Sequence, residues 1–433
     1  MKVLYVVHGF PPRVHTGTES YTYHLAQSTA AKHEVCVFYL YKDKGRPLYA
    51  VEQSQEGRVR RFGVNYNVMT DATKFRDTYR NPHLNAVFRR CLGDFRPDIL
   101  HETYLLAGLS VDFVKIARDA GAKVVVTLTD FLPICLRGQL LDYRGELCSG
   151  PETDYKCSKC VWMVKRMRKG IFETVRIGLL HVGPVAWLAR RIIARLISGR
   201  RRDIRNALNR ADAIIAPTLA LRDEYVKWGL RPEKMQRLGY GIDAKPFAQF
   251  KRAPSDVVRF GFIGQALPHK GLHVLLKAAE MIKDKRFQVV VFAGTDLPGS
   301  REYMDGLKEM MSRGHVSWRG TFPFDKIADA YAEFDALVVP SLWYENSPLV
   351  VLYAQQSRTP LIVSDFGGLT EFVRDSETGL VFEPGNEKAL AQAMSRFIGK
   401  PSLCAEMAAR IAPPPGIEEN AARVMEIYAE LMK

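Results

Sequence analysis

The sequence predicts two α/β domains, each a doubly wound parallel sheet covered by helices, and three observations lead there. Short apolar runs alternate with segments of helical spacing, the alternation breaks and restarts near the middle, and 433 residues exceed what one ordinary core organises. A hydrophobic fraction of 47% is enough to pack both cores.

The first half opens with Lys2, Val3, Leu4, Tyr5, Val6 and Val7, a run that reads as a buried parallel strand, followed by Gly9 and two prolines that read as a loop. Helical spacing follows over 19–31. Further strands are expected at 34–39, 99–101, 123–128 and 213–216, with helices at 84–95 and 109–120. The glycines and prolines of 237–254 read as a linker. The second half then gives strands at 258–263, 288–292, 336–339 and 361–363. Between them lie helical patterns at 272–282, 301–311, 326–333 and 349–356. An amphipathic segment at 418–432 is expected to cross back to the first domain. The domains are therefore expected at 1–238 and 239–417, with the terminal helix at 418–433. Sheets of this kind bind ligands at the carboxyl ends of their strands, where His8, His101 and Thr129 fall.

The formal charge is +15, and thirteen Lys or Arg against only Glu173 and Asp203 concentrate the excess in 161–210. There the basic residues alternate with Ile, Leu, Val and Trp, which suits an anionic lipid surface and not a nucleic acid. Leu188, Ile192, Ile193, Leu196 and Ile197 can share one helical face, with Arg190, Arg191, Arg195 and Arg200 to Arg202 beside headgroups. No run reaches the roughly 20 apolar residues of a membrane-spanning helix, and the first apolar run is too short for a signal-peptide core. The expectation is a cytoplasmic protein held peripherally at the inner face of a membrane.

Four stretches carry the chemistry. They are Phe10-Pro-Pro-Arg-Val-His-Thr-Gly17-Thr-Glu19 ahead of a helix, Phe262-Ile-Gly264-Gln265-Ala-Leu-Pro-His-Lys270-Gly271, Pro340-Ser-Leu-Trp-Tyr-Glu345-Asn346-Ser347-Pro348-Leu349, and Ser364-Asp-Phe-Gly367-Gly368-Leu-Thr-Glu371. Taken singly each has an ordinary reading, as a turn, a cap or a surface charge. In this order, at strand ends of two successive wound domains, the chain resembles the family-4 retaining glycosyltransferases of the GT-B fold over nearly its whole length.

The resemblance implies two domains facing a cleft, no catalytic metal, and transfer of a hexose from a UDP- or GDP-sugar to a glycan or lipid-linked acceptor in cell-surface polysaccharide synthesis. It implies that Glu345 holds donor-sugar hydroxyls beside the backbone of Asn346, Ser347, Pro348 and Leu349. Breaking a sugar–nucleotide bond builds negative charge on the diphosphate, so cationic and dipolar groups must be aimed there. Lys270 supplies the cation, the helix start near Pro348 supplies N–H groups, and Gly17 lets backbone approach a phosphate. No Asp-x-Asp segment stands after a strand to hold Mg²⁺. Lys270 and Glu345 are the catalytic candidates. Gly17, Gly264, Gln265, Asn346, Ser347, Pro348, Leu349 and Tyr353 are the donor contacts, and His101, Thr129 and Asp130 form the acceptor side.

The chain departs from the family pattern at Thr129, where His is usual, at Gln265, often Arg, and at Tyr353, where a second Glu normally reaches the ribose. Two other readings stay open: a GT-B sugar-nucleotide epimerase, or a weakly active glycan-binding or scaffolding subunit.

Of seven cysteines, Cys135, Cys148, Cys157 and Cys160 cluster within a glycine-rich stretch at 135–160. Two Cys separated by two residues bind a metal from one turn, and two more complete a tetrahedral thiolate set, so a structural Zn²⁺ is expected there, with unrelated buried thiols as the alternative. Cys36 in a strand pattern and Cys91 in a helical one read as core.

Overall fold

The computed structural model describes residues 1–14, 17–150, 153–163, 183–295, 297 and 299–433, with backbone alone for 161–163 and 183–186. The chain divides into two compact units, Met1–Gly239 with Ile417–Lys433, and Tyr240–Gly416.

The first unit holds an eight-stranded sheet. Its strands are β1 (Lys2–Val7), β2 (Glu34–Tyr41), β3 (Val51–Glu56), β4 (Val59–Asn65), β5 (Ile99–Glu102), β6 (Lys123–Thr127), β7 (Ala213–Ala216) and β8 (Met235–Arg237). They lie in the order β3-β4-β2-β1-β5-β6-β7-β8, parallel except for β3, which runs antiparallel to β4. The runs that sequence reading picks out are strands buried almost throughout, as parallel sheets covered on both faces require. The hairpin of β3 and β4 is not expected from sequence. Val-Glu-Gln-Ser-Gln-Glu is a polar, half-exposed edge strand with no apolar alternation to reveal it.

The helix Ile417–Leu431 belongs to this unit, burying Ile417, Val424, Ile427 and Tyr428. At roughly 1.5–3 kcal/mol per large apolar side chain, this face accounts for the docking. Polar contacts fix its register: Tyr21 donates to Asn420 at 2.9 Å, and Asn420 donates to the Gly239 carbonyl at 2.7 Å.

The helix Gly183–Arg210 buries Ala189, Ile193, Ile197 and Ile204 on one side. Trp187, Leu188, Ile192 and Leu196 stay between 41% and 54% exposed on another. The single apolar face expected from sequence is thus two faces. A second correction concerns Arg200 and Arg201, which are buried and not turned outward to a surface. Residues 164–182 of the basic segment lie outside the described residues. No helix among the described residues is long and apolar enough to cross a membrane.

The second unit holds six parallel strands, β9 (Val258–Gln265), β10 (Phe287–Gly294), β11 (Val316–Gly320), β12 (Ala336–Val339), β13 (Leu361–Ser364) and β14 (Gly379–Phe382). Their order is β11-β10-β9-β12-β13-β14, the 3-2-1-4-5-6 arrangement of a dinucleotide-binding sheet. Phe260, Leu275, Val289, Val338, Ile362 and Phe397 centre its core. Gly261 is needed there, because a Cβ would stand 2.4 Å from the Phe334 ring. The single helix expected at 301–311 is two short ones, Ser300–Asp305 and Lys308–Met311, parted at Gly306.

Candidate active site

The order of strands in the second unit reverses between β9 and β12, and such a switch point opens a crevice at the carboxyl ends of the two strands. The loop after β9 carries Lys270, and the loop after β12 carries Glu345. Their side chains meet: Lys270 Nζ is 2.7 Å from Glu345 Oε1. Ser341 Oγ donates to the same oxygen at 2.7 Å and Trp343 Nε1 at 2.9 Å. The lysine also lies 4.9 Å from the centre of the Trp343 ring, a cation–π distance.

Glu345 is almost fully buried, and burial alone would raise its pKa. The Lys270 charge and the three donors outweigh burial and hold the carboxyl below the usual glutamate value, so it is ionised at neutral pH. All three of those donors use Oε1. None among the described residues donates to Oε2, which leaves one carboxylate oxygen to accept from a ligand.

The backbone of this site is packed too tightly for side chains at two glycines. Gly271 has φ 74° and a Cβ there would sit 1.8 Å from the Pro340 carbonyl oxygen, while a Cβ at Gly368 would sit 1.6 Å from that of Glu345. The Lys-Gly, Glu-Asn-Ser and Gly-Gly loops therefore touch one another through main chain. Ser347 is held at φ 51°, and its buried Oγ has no partner among the described residues, as is also true of Ser364 Oγ. Buried unpartnered hydroxyls and a left-handed serine are features that cluster at ligand sites. Two helices begin here, Leu272–Met281 after Gly271 and Leu349–Gln356 after Pro348, each directing first-turn N–H groups forward. Gly264 and Gln265 end β9, with Gln265 exposed.

Tyr353 differs from expectation. Its ring is buried, stacked 5.8 Å from Phe247 and edge-on to Phe324, so it belongs to the core. Any contact with a nucleotide would fall to its hydroxyl alone.

The first unit has its own switch point, between β1 and β5. His8, just past β1, pairs with the buried Glu19 at 2.8 Å and packs against the Tyr104 ring at 4.0 Å. Tyr104, just past β5, donates to Asp130, whose other oxygen accepts from the Leu132 amide at 2.8 Å. Burial pushes the Asp130 carboxyl up, against the pull of those two hydrogen bonds. Thr129 and Asp130 line a small recess with Tyr104, Pro133 and Tyr225. Gly17 opens the helix Gly17–Ala30, next to His15 and Thr16, which lie outside the described residues.

His101 is a correction. It lies within β5 and not beyond it, is fully buried, and has its ring nitrogens 2.5 Å from the Tyr428 hydroxyl and 2.7 Å from Thr127 Oγ1. Burial lowers its pKa to about 3, so it is a neutral core residue and not an acceptor contact. Sequence reasoning assigned no role to Tyr104, Ser341 or Trp343. Trp343 and Ser341 stand inside a quoted motif, whereas Tyr104 offers only its place after a strand.

Cys135, Cys148, Cys157 and Cys160 carry free thiols and are all partly buried. Among the described residues no three His, Cys, Asp or Glu side chains close on one point as a formed metal shell does.

Known proteins extend this picture. D-inositol 3-phosphate glycosyltransferase of Rhodococcus jostii is 30% identical over 217 residues, covering 46% of this chain and 47% of its own. Alpha-maltose-1-phosphate synthase of Mycolicibacterium smegmatis is 27% identical, covering 47% and 58%. The chain thus spans about half the length of the curated relatives it matches. Sucrose-phosphate synthase from Thermosynechococcus elongatus superposes with TM-score 0.69 at 16% identity, over 100% of this chain and 99% of its own. HepE from Anabaena, solved in complex with UDP, gives 0.66 at 16%, over 99% and 100%. At such identities the likeness shows the fold alone, and that fold is GT-B. Residues 244–412 match the family described as glycosyl transferases group 1. Since residues 16–241, more than half of the sequence, match the glycosyl transferase 4-like domain, the chain belongs to the family-4-like glycosyltransferases.

Proposed function

We propose that this protein is a retaining hexosyltransferase that moves a hexose from a UDP- or GDP-sugar to a glycan or lipid-linked acceptor in cell-surface polysaccharide synthesis. The observation that carries the reading is the pairing of Lys270 with an ionised, buried Glu345 at a sheet switch point. Glu345 Oε2 accepts from donor-sugar hydroxyls, and the helix starts after Gly271 and Pro348, together with Lys270, face the charge that grows on the departing diphosphate. HepE, whose structure holds UDP, supports a nucleotide-sugar donor through its shared fold. The acceptor enters beside Thr129 and Asp130 in the first unit. The exposed apolar residues Leu188, Ile192 and Leu196, flanked by Arg191 and Arg195, support a seat at the inner, cytoplasmic face of an anionic membrane, near a lipid-linked acceptor.

Turnover against a panel of UDP-, GDP-, ADP- and CDP-sugars, alongside thermal shift, tests this reading. Lys270→Ala should lower kcat about 10²–10³-fold, a barrier increase of about 2.7–4 kcal/mol, the loss seen for one preorganised charge-stabilising group. Glu345→Gln should impair transfer while free nucleoside diphosphate binds nearly as before. Wild-type rates in both variants would move the site elsewhere. A wild type inactive with every donor would favour a glycan-binding role, and release of an altered donor without acceptor would favour an epimerase.

A further inference from the structure

The loop that leaves Asp130 runs into a group of thiols that plays no part in sugar transfer. Three segments bring them together. The main chain turns back between Leu141 and Leu147, which pair as an isolated antiparallel bridge, and the Cys148 amide donates to the Leu140 carbonyl at 2.8 Å. Cys157 and Cys160 sit one turn apart on the helix Asp154–Met163, a spacing that puts both on one face. Cys157 and Leu136 pack on the same two residues, Ile193 and Ile197, of the helix Gly183–Arg210.

Arginine side chains tie these segments at the sulfurs. Arg201 donates to the carbonyl of Ile134 at 3.2 Å and to Cys157 Sγ at 2.8 Å, so one guanidinium spans the residue before Cys135 and the first helical thiol. Arg137 donates to the Asp142 carbonyl and stands beside Cys160, which lies within electrostatic reach of Cys135 and Cys157. Cys157 in turn lies within reach of Cys135 and Cys148. All four sulfurs therefore occupy one neighbourhood, although their side chains do not close on a point as they stand.

The charge of this neighbourhood is unbalanced. Arg200, beside Cys135, is buried and among the described residues donates to the carbonyls of Leu132 and Pro133. Arg201 is buried as well, and its carboxylate partner is Asp154. Among the described residues Arg137, Arg200 and Arg201 thus face two carboxylates, Asp154 and Asp130, an excess of one positive charge beside the four sulfurs. Uncompensated buried charge is costly. Four thiolates around one divalent zinc carry a net charge of minus two and donate nothing, which is what buried guanidinium groups require of a neighbour.

We propose that Cys135, Cys148, Cys157 and Cys160 bind one structural Zn²⁺ as a tetrathiolate, with Arg137, Arg200 and Arg201 as its charge-compensating surround. Rotation of the cysteine side chains closes the shell, and each thiol gives up its proton to solvent as its sulfur joins the metal. A shell of four thiolates has no open position, so the ion is structural. It staples the loop that starts at Asp130 to the helices Asp154–Met163 and Gly183–Arg210. This site shares no residue with Lys270 and Glu345 and stands or falls independently of the transferase reading.

Elemental analysis of the full chain after extensive dialysis should find about one zinc per molecule. Cys135→Ser, Cys148→Ser, Cys157→Ser and Cys160→Ser should each reduce that content at least tenfold, and Cys404→Ser should leave it unchanged. Where a variant fails to fold, cobalt exchanged into the wild type is the second readout: intense visible bands of a tetrahedral cobalt thiolate are expected. Four freely titrating thiols without metal would overturn the proposal. So would iron with acid-labile sulfide, which would assign an iron–sulfur cluster, or zinc retained at wild-type level in all four variants.

Discussion

Replacing Lys270 with Met gives the most direct measure of the ion pair at the heart of the second unit. Glu345 keeps 5% of its side-chain surface in contact with solvent, and Lys270 keeps 23%. Breaking a buried ion pair by removing one partner costs about 3–5 kcal/mol. Two neutral donors, Ser341 and Trp343, remain on Glu345, and Lys270 is partly hydrated in the native state. The lower end, about 3 kcal/mol at pH 7, is therefore expected.

The pH dependence follows from the sign of the shift. In the wild type the folded-state pKa of Glu345 lies below its usual value, so its stabilisation is present above that value and is lost as pH falls through the folded pKa. Without Lys270, burial dominates, the folded pKa moves above the usual value, and the penalty is felt only while the carboxyl is ionised. The deficit of the variant should thus shrink steadily from pH 7 toward pH 4. Hydrogen exchange in the full chain reads it, because amides of β12 and of the helix Leu349–Gln356 report the opening free energy of their own region. An increase in opening of about 10²-fold is expected at pH 7. Lys270→Met with Glu345→Gln together should recover most of the loss, since replacing both partners removes the stranded charge. A deficit below 1 kcal/mol at pH 7, or one that is the same at both pH values, would refute the argument.

His101 gives a second pH signature: its folded pKa of about 3 lies below the ordinary 6.5, so the first unit loses stability as pH falls below 6.5 toward 3. At pH 5 that loss amounts to about 2 kcal/mol, and His101→Phe should abolish this pH-dependent component when exchange in β5 is compared at pH 7 and pH 5. Gly271→Ala forces a Cβ to within 1.8 Å of the Pro340 oxygen at φ 74°, whereas a Cβ at Gly264 meets nothing closer than 3.5 Å. The first substitution should lower calorimetric stability by at least roughly 1–3 kcal/mol and the second hardly at all; equal melting temperatures would contradict the packing. Ile192→Glu should weaken co-sedimentation with anionic vesicles at least tenfold, and wild-type binding should fall as salt rises; equal binding to neutral vesicles would remove the membrane reading.

What sequence reveals here depends on how much of a feature is local. Val-Val-Val at 124–126 and Leu-Val-Val at 337–339 announce buried parallel strands by composition alone, and both lie in them. The edge strand β3 has no such mark. Lys270 and Glu345 were each legible from the motif around them, but their direct pairing across 75 positions was not, because it depends on how two loops close. His101 misleads for a related reason. Strand ends are uncertain by a residue or two, and its partner Tyr428 lies 327 positions away. In Gly183–Arg210 the period sets Ile193 about 100° from Ile192 and so separates the two apolar sides, but it does not tell which of them the rest of the unit covers.

The return of the helix Ile417–Leu431 to the first unit sets an order on the making of the protein. When β1, β5 and β6 have left the ribosome, Tyr5, Tyr21 and His101 still lack the tyrosine and asparagine that satisfy them, because Asn420 and Tyr428 follow the entire second unit. The nascent first unit must wait, with a polar hollow open on its sheet, while 177 residues fold independently. Its completion is a late, long-range event of high contact order, and a chaperone that recognises exposed sheet faces would find its substrate in that interval.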